Sequence, residues 1–547
     1  MTTTMFGRST KSPTPNPYVP QSRGPLLRLP GRIPSAMHDG PHTWEQEGER
    51  HRRTAEVLAT GEAVDVGQLN AIVICLDTLR ADIIGPDAPL GDVRTPHLDQ
   101  LASESVVFQR AFGEGQPTLQ TRRSLFTGRR SFPWRYNFDR RGLWHHNPGW
   151  HKIPPEQDTL AELLLARGYY TGLIADTYHM FKPTANFSRG FVSYDFLRGQ
   201  ESDNWQPIDP SEAVTALRGH VRDPENWRRY GTLVQYLANQ GDRASEEDYQ
   251  CARVFRRAAE WLQSARRNAP FFLWVDSFDP HEPWDPPRAY ADAYFGGTGW
   301  QGIDFILPGA AGSMSPEDQA RVRALYFGEV TFVDRWVGHL LAAVEALDLW
   351  RNTVVILVSD HGTEVGDHGH FGKGPRHMHP YNTQINFMVR HPSGPRGVQL
   401  GPFIQTHDLL PTVLSLLELP PAPSDGQDAW RFIRDPHLPG RDHIVCGWAD
   451  FSGGVTGGRA SVRTDQWNYV VTCHAESPGP ELYDLARDPR ESRNVVAEHP
   501  AVVPSLRAHL EALLGASIPF VFQERADPGP SPISEYLGHR RQRVDTL

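Results

Sequence analysis

Two carboxylates and one imidazole stand at the ends of apolar runs that are far apart in the sequence. Asp77 ends the run Ala71–Leu76, and Asp360 and His361 follow the run Val354–Val358. Two hard oxygen ligands and an imidazole nitrogen that meet in a dry cleft would bind a divalent cation. Taken alone, Asp77 or the pair Asp360-His361 is more typical of a helix cap or a loop acid than of a metal ligand. Together they predict a metal site.

A second segment combines hydroxyl groups with paired arginines. It extends from Pro117 to Arg129 and contains Thr118, Thr121, Arg122 and Arg123. A hydroxyl nucleophile with cations that stabilise an oxyanion would need these residue types. The alternative is a threonine that caps a helix beside solvated arginines, and the segment taken by itself favours that interpretation.

Two loops carry histidine and lysine. The loop 279–284 follows an apolar run and places His281 between prolines, whereas the loop 366–374 is rich in glycine and contains His368 and Lys373. Glycine with histidine and lysine forms a flexible cationic wall that suits tetrahedral oxyanions. A His-rich metal-binding loop or a solvated turn is the alternative for the second loop.

The elements that must position these residues follow from hydrophobic periodicity. Continuous apolar runs predict strands that are buried on both faces. These runs are Ala71–Leu76, Tyr170–Ala175, Phe271–Val275, Val354–Val358 and Phe387–Val389. An amphipathic helix is predicted around 332–347. Strands that alternate with such helices predict an α/β fold with a doubly wound, mostly parallel sheet. Ligands bind beyond the carboxyl ends of such strands, which is where Asp77 and Asp360 stand.

Composition divides the chain into four segments. Residues 1–66 are predicted to be a flexible Pro-rich tail, because the first 38 residues contain no acid and are dense in proline. Residues 67–420 form the large α/β domain with all the candidate residues. After a Pro-rich break, 421–515 show short alternating strands and one late helix, typical of a small C-terminal α+β subdomain. Residues 516–547 form a second tail.

Charge and cysteine content exclude several classes of protein. The 547 residues carry a net charge of −10, which argues against bulk binding to nucleic acid or to an anionic membrane. The apolar runs are far shorter than the ~20 residues that span a bilayer, and no signal peptide is visible. The four cysteines lack CxxC or disulfide-dense spacing. We expect a cytoplasmic protein that acts on a small molecule, with a homo-oligomer left open.

The motifs of residues 69–515 resemble, in order, those of the sulfatase family of the alkaline phosphatase superfamily. The matching segments are 74–82 (ICLDTLRAD), 95–99 (TPHLD), 359–362 (SDHG), 368–373 (HGHFGK), 408–412 (DLLPT) and 481–494 (ELYDLARDPRESRN). The resemblance implies an alkaline phosphatase-like fold and a metal-dependent ester hydrolase. Its substrate would be a small-molecule ester.

The resemblance also assigns roles residue by residue. Counting back ten residues from Gly128 in the family's nucleophile motif gives Thr118. The implied metal ligands are Asp77, Thr118, Asp360 and His361, which would hold one divalent ion. The implied catalytic residues are Thr118, Arg122, His281, His368 and Lys373. A histidine among the ligands favours Mn²⁺, Mg²⁺ or Zn²⁺ over Ca²⁺, and we expect Mn²⁺.

Three positions depart from the family pattern. Formylglycine sulfatases have a cysteine where this chain has Thr118, and their Gly-Lys-Trp-His motif reads Asp-Thr-Tyr-His at 176–179. The proline of the nucleophile motif is Gln120. Threonine has a single hydroxyl, so its intermediate cannot collapse as a hemiacetal does. A second attack must break that intermediate, which favours phosphoryl chemistry.

We therefore expect a hydrolase of phosphate diesters, phosphate monoesters or phosphonate esters. A phospho- or sulfo-group transferase uses the same residues and is one alternative. A sulfuric ester hydrolase of the arylsulfatase type is another. A non-catalytic binding module is disfavoured, because Asp77, Asp360 and His361 are all retained.

Overall fold

The apolar runs form the inner strands of a large central sheet in the computed structural model. The structure describes residues 68–520 except for 86–87, 134–149, 151, 182–184, 242, 297–298, 311, 377, 453–454 and 476, together with residue 536. The predicted tail 1–66 lies outside the described residues, as does most of 516–547.

The described strands and helices alternate along the chain. The strands are β1 (Asn70–Leu76), β2 (Val106–Phe108), β3 (Ala111–Phe112), β4 (Gly115–Gln116), β5 (Tyr170–Ala175), β6 (Ser193–Phe196), β7 (Phe271–Ser277), β8 (Thr353–Ser359), β9 (Glu364–Val365), β10 (Phe371–Gly372), β11 (Phe387–Arg390), β12 (Val398–Leu400), β13 (Ile404–Gln405), β14 (His443–Ser452), β15 (Val455–Thr464), β16 (Trp467–Thr472) and β17 (Glu481–Asp484). The α-helices are α1 (Pro96–Ser103), α2 (Thr118–Thr127), α3 (Leu160–Leu165), α4 (Pro210–Leu217), α5 (Gly231–Gln240), α6 (Gln250–Ala265), α7 (Arg288–Asp292), α8 (Pro316–Ala346), α9 (Pro380–Thr383), α10 (Leu409–Leu416), α11 (Arg431–Arg434) and α12 (Val503–Leu514).

Eight strands form the central sheet in the order β12-β2-β11-β8-β1-β7-β5-β6. β11 is antiparallel to both of its neighbours, and the other pairs are parallel. The predicted doubly wound, mostly parallel sheet is confirmed. Leu76 pairs with Ser359, and Cys75 pairs with Asp276. The carboxyl ends of β8, β1 and β7 are therefore level.

Both faces of this sheet are covered. Along β1, Ile72 and Ile74 belong to one hydrophobic cluster, with side chains of α6 and α8, whereas Ala71 and Val73 belong to another, with side chains of α2 and α10. This alternation explains why the strands read as continuous apolar runs. In the described ranges, no helix is long and apolar enough to cross a membrane.

A second sheet has the strand order β17-β16-β15-β14-β4. Four of its strands come from the C-terminal part of the chain, and α12 packs on it through Leu506 and Leu510. The fifth, β4, comes from the segment just before Thr118 and pairs in parallel with β14. All described residues lie within one compact unit, and the division near residue 420 stays a prediction.

Candidate active site

Four neighbouring strands end in buried aspartates at the carboxyl edge of the central sheet. In sheet order, Asp360 follows β8, Asp77 follows β1, Asp276 is the penultimate residue of β7, and Asp176 follows β5. All four side chains are fully buried. Buried carboxylates are costly unless cations or hydrogen bonds stabilise them, so this edge must contain such partners.

Asp77, Asp360 and His361 come together as the predicted metal ligands. Each offers one ligand atom, and these atoms lie within 4.8 Å of one another. Nδ1 of His361 is 2.9 Å from the carbonyl oxygen of Gly362, so Nδ1 carries the proton and Nε2 presents a lone pair. Among the described residues that Nε2 has no hydrogen-bond partner; it lies 3.5 Å from an Asp360 oxygen and 3.8 Å from an Asp77 oxygen. An orphaned nitrogen between two carboxylates fits a divalent cation.

Thr78 orients both of the carboxylates. Its hydroxyl donates to Oδ1 of Asp77 at 2.6 Å, and its N–H donates to Oδ1 of Asp360 at 3.0 Å. Its φ of 64° is in the left-handed region, which is costly for a β-branched residue. The hydroxyl of Tyr326 donates to the Thr78 carbonyl oxygen at 2.9 Å and supports this conformation.

Arg122 is fully buried among three of the aspartates. Its Nη1 donates to Asp77 at 3.0 Å and to Asp360 at 2.6 Å. Its Nε and Nη2 donate to Asp276 at 3.1 and 2.8 Å. The carboxylates surround the guanidinium, and the expected contact of Arg122 with an oxyanion stays a prediction. Arg122 thus compensates the charge of the sheet edge.

The acids of the metal set have opposite pKa shifts. Burial by itself would raise the pKa of Asp77, but Arg122, with help from His281 and Lys373, holds it below its ordinary value. Burial and the neighbouring Asp77 carboxylate raise the pKa of Asp360. The two acids oppose each other's ionisation, and a cation bound between them would favour both ionised forms.

Thr118 is the first residue of α2 and lies beside this cluster. Its carbonyl oxygen is 3.5 Å from Nη1 of Arg122, the same nitrogen that donates to Asp77 and Asp360. It is 2% exposed and has a positive φ of 22°, a sparsely populated conformation for threonine. The N–H groups at a helix N-terminus favour negative charge.

His281 and Lys373 come together from distant loops. The Lys373 Nζ lies 2.7 Å from Nε2 of His281 and 2.8 Å from Oε1 of Glu282. The ring of His281 stacks on Phe278 with centroids 4.0 Å apart. An ammonium can only donate, so Nε2 accepts and His281 is the neutral Nδ1–H tautomer. Two of the predicted catalytic residues are thereby joined.

His368 lies in the turn between β9 and β10, the hairpin that Lys373 follows, but it faces other partners. Its Nδ1 bonds to the hydroxyl of Tyr381, and its ring lies 4.5 Å from that of His379. Burial and the nearby His379 lower its pKa. Within the described residues, no hydrogen bond, ion pair or ring contact joins His368 to the metal set, so its catalytic role stays a prediction.

Asp176, the first residue of the segment 176–179 that departs from the family's Gly-Lys-Trp-His motif, is held by hydrogen bonds inside the protein. It accepts from the Phe278 N–H at 2.7 Å and from Nε2 of Gln200 at 2.9 Å. Gln200 Nε2 also donates to Asp279 at 2.9 Å. Burial and Asp279 raise the pKa of Asp176, and burial raises the pKa of Asp279 to about 6. This network supports the loop that carries His281.

Sequence reasoning missed four polar residues of this site: Thr78, Gln200, Asp276 and Glu282. Asp276 had a usable signal, because it ends a buried apolar run as Asp77 does. Gln200 and Glu282 had none, since their partners come from other segments of the chain.

Comparisons with known proteins agree with this geometry. The Sulfatase family model matches residues 69–419. An arylsulfatase of Clostridium perfringens is 23% identical over 470 residues, which cover 78% of this chain and 90% of that relative. An ulvan-active sulfatase of Formosa agariphila is 27% identical over 449 residues, which cover 78% of this chain and 77% of that relative.

A solved structure shares the fold. The phosphonate monoester hydrolase of Agrobacterium radiobacter superposes with a TM-score of 0.60 at 21% identity, covering 82% of this chain and 96% of that one. The family match spans more than half of the chain and includes the candidate ligands Asp77, Asp360 and His361, which agrees with the metal dependence of the family. The expectation of an ester hydrolase is confirmed. The chain belongs to the sulfatase family of the alkaline phosphatase superfamily and is a hydrolase that acts on sulfuric or phosphoric esters.

Proposed function

We propose that this protein hydrolyses phosphate or phosphonate esters through a covalent intermediate on Thr118, with one divalent metal ion. The observation that carries the proposal is the threonine at the start of α2, beside the buried carboxylates and Arg122. The solved phosphonate monoester hydrolase with the same fold supports it by analogy.

The cysteines support the choice of threonine. Cys75, Cys251, Cys446 and Cys473 are all buried elsewhere, and none lies in the segment 113–128. Formylglycine therefore cannot form at the family's nucleophile position. A threonyl ester must be broken by a second attack at its central atom, and phosphorus supports such double displacement well.

Asp77, Asp360 and His361 would hold the metal ion. When bound, the ion would lower the pKa of a hydroxyl group and withdraw charge from a substrate oxygen. The mixed nitrogen and oxygen donors favour Mn²⁺, Mg²⁺ or Zn²⁺ over Ca²⁺, and Mn²⁺ is our choice.

Residues of the chain supply the nucleophile, the charge stabilisation and the proton transfer. The Thr118 hydroxyl attacks in line with the leaving oxygen, and the α2 N-terminus stabilises the negative charge that develops there. Lys373 and His281 form a proton-transfer pair, because the ammonium faces the imidazole lone pair. In each half of the reaction this pair gives one proton to the departing oxygen and receives one from the attacking hydroxyl.

The test is an Mn²⁺-supplemented panel of 4-nitrophenyl esters: phosphate, bis-phosphate, phenylphosphonate and sulfate. Thr118→Ala is expected to lower kcat by more than about 10³-fold on every ester that the parent cleaves. Thr118→Ser keeps a hydroxyl and should retain measurable turnover. Circular dichroism and metal analysis check that both variants fold and bind metal. Parent-rate turnover by folded, metal-loaded Thr118→Ala contradicts the proposal.

Sulfate ester hydrolysis is the second candidate, since the curated relatives are named as sulfatases. The same panel separates the two. Turnover of 4-nitrophenyl sulfate alone would replace the phosphoryl proposal with this one.

A further inference from the structure

Glu282 brings a negative charge beside Lys373 and His281, the proposed proton-transfer pair. Its Oε1 lies 2.8 Å from the Lys373 ammonium, and its backbone carbonyl accepts from Nδ1–H of His281. Its Oε2 is buried without a hydrogen-bond partner in the described part of the chain. The side chains of Lys373 and Glu282 are only 11% and 16% exposed, so water screens this ion pair weakly.

Glu282 remains ionised in this setting. Burial opposes its charge, but His281 and then Lys373 hold the pKa of the carboxyl below its ordinary value. Glu282 lies in the loop that follows β7, whose carboxyl end is level with the end of β1 that carries Asp77. The charge that Lys373 could offer to a substrate is therefore partly cancelled before any substrate arrives.

The other buried cation is compensated as well. Arg122 donates to three carboxylates, as described above. The charged side chains of this group in the described residues are Arg122, Lys373, Asp77, Asp276, Asp360 and Glu282. Two cations and four carboxylates leave a formal charge of −2, which one divalent metal ion cancels. With such an ion bound, these two cations and their carboxylate partners have no excess positive charge for a substrate anion.

We infer that Glu282 makes this site selective for monoanionic esters, such as phosphodiesters, phosphonate monoesters and sulfate monoesters, over dianionic phosphate monoesters. The inference rests on the proposed function and narrows its substrate class. A second substrate charge placed near Lys373 would lie close to the Glu282 carboxylate, which pairs with that ammonium at 2.8 Å and is poorly screened by water. Like charges in such surroundings repel strongly. Without that carboxylate, the full charge of the Lys373 ammonium could pair with the second negative charge of a dianionic substrate.

The experiment compares the parent with Glu282→Gln, which removes the charge and keeps the shape. Calorimetry on Mn²⁺-loaded protein at about pH 8.5 measures binding of benzenesulfonate, a monoanion, and phenylphosphonate, a dianion at that pH because phosphate-type groups lose their second proton near about 6. Neither molecule is an ester. Turnover of bis(4-nitrophenyl) phosphate and 4-nitrophenyl phosphate, which share a leaving group, is measured alongside.

Glu282→Gln should strengthen phenylphosphonate binding relative to benzenesulfonate by about tenfold, with a similar rise in kcat/KM for the monoester relative to the diester. Glu162→Gln is the matched control, since Glu162 forms an ion pair with Arg189 at 2.7 Å away from this site. It should leave both ratios unchanged. Glu282→Asp keeps the charge and should keep the parent's preference.

Three results would overturn the inference. They are a ratio in Glu282→Gln within about twofold of the parent, an equal change in Glu162→Gln, or a parent that already binds phenylphosphonate more tightly than benzenesulfonate. The last measurement needs no variant, so it decides even if Glu282→Gln fails to fold. A shifted binding ratio without turnover of any ester would reject the proposed function and retain the charge selectivity. Turnover of an ester with an unshifted binding ratio would reject the charge selectivity and retain the proposed function.

Discussion

At the scale of single residues, Thr78 has a strained backbone conformation and orients two candidate metal ligands. Its hydroxyl and N–H hold Asp77 and Asp360 in a fixed relation. Thr78→Val removes the hydroxyl but keeps the branched side chain, so the backbone strain is unchanged. We expect it to weaken Mn²⁺ binding by about 10–100-fold, the usual effect of losing a hydrogen bond that orients a ligand. Calorimetric titration of chelator-treated protein with Mn²⁺ measures this.

Thr78→Ser provides the matched control for that prediction. It retains the hydroxyl that donates to Asp77, so its affinity for Mn²⁺ should remain near that of the parent. If Thr78→Val binds Mn²⁺ as tightly as the parent, or if both variants lose affinity equally, the hydroxyl does not orient the ligand.

At the scale of elements, the short strand β4 is the connection between the two sheets. Gly447 of β14 pairs with Gly115 of β4, two residues before the cis-proline Pro117 that precedes Thr118. A Cβ added at Gly447 would lie 2.1 Å from the ring of Phe132, which is fully buried. The close approach of Phe132 to β14 therefore requires glycine at this position.

Gly447→Ala is expected to lower the free energy of unfolding by about 1–3 kcal/mol, because the Phe132 ring must move. Urea unfolding monitored by circular dichroism measures the change. Gly401→Ala is the control, since a Cβ there would meet no atom within 4 Å. Equal stability of the two variants would show that the contact between β14 and Phe132 tolerates a methyl group. Turnover should fall in Gly447→Ala alone, because β4 positions the start of α2.

The elements also show what the sequence can predict. Strands such as β1 and β8 are predictable because each contains a continuous apolar run, Ala71–Leu76 and Val354–Val358, and an aspartate follows the strand. The short β4 carries no such pattern, since it exists only through its pairing with β14. The ion pair of Glu282 with Lys373 spans 91 residues, and no local periodicity reports such a contact. The placement of Arg122 among carboxylates could not be predicted for the same reason, since Asp276 belongs to a strand that is distant in the sequence.

At the scale of the whole molecule, Glu491 couples the second sheet to the metal site. It is buried, and it accepts from Nδ1 of His379 at 2.8 Å and from Asn468 of β16 at 2.8 Å, with Arg463 of β15 as its ionic partner. His379 begins the helix α9, whose residue Asn382 accepts from the N–H of Gly362 beside the metal ligand His361. One carboxylate thus links the second sheet, through His379 and α9, to the segment beside His361.

Glu491→Gln should lower the free energy of unfolding by about 3–5 kcal/mol, since it leaves the buried Arg463 charge without its partner. Glu498→Gln removes an exposed ion pair with Arg493 and should cost about 1 kcal/mol or less. Urea unfolding near neutral pH compares the two. Similar losses in both variants would mean that Glu491 is not a coupling point.

The pH dependence of the unfolding free energy tests the role of Glu491 in a second way. Burial opposes the ionisation of Glu491, but Arg463 and His379 hold its pKa below the ordinary value. The stabilisation is therefore fully present above about pH 4.3, the ordinary glutamate value, and is lost as the pH falls through the lower folded-state pKa. Unfolding free energies measured from neutral pH down to pH 3 should fall less steeply for Glu491→Gln than for the parent. Parallel curves would mean that Glu491 is not ionised in the folded protein, and the ionic link from the second sheet to the segment beside His361 would have to be abandoned.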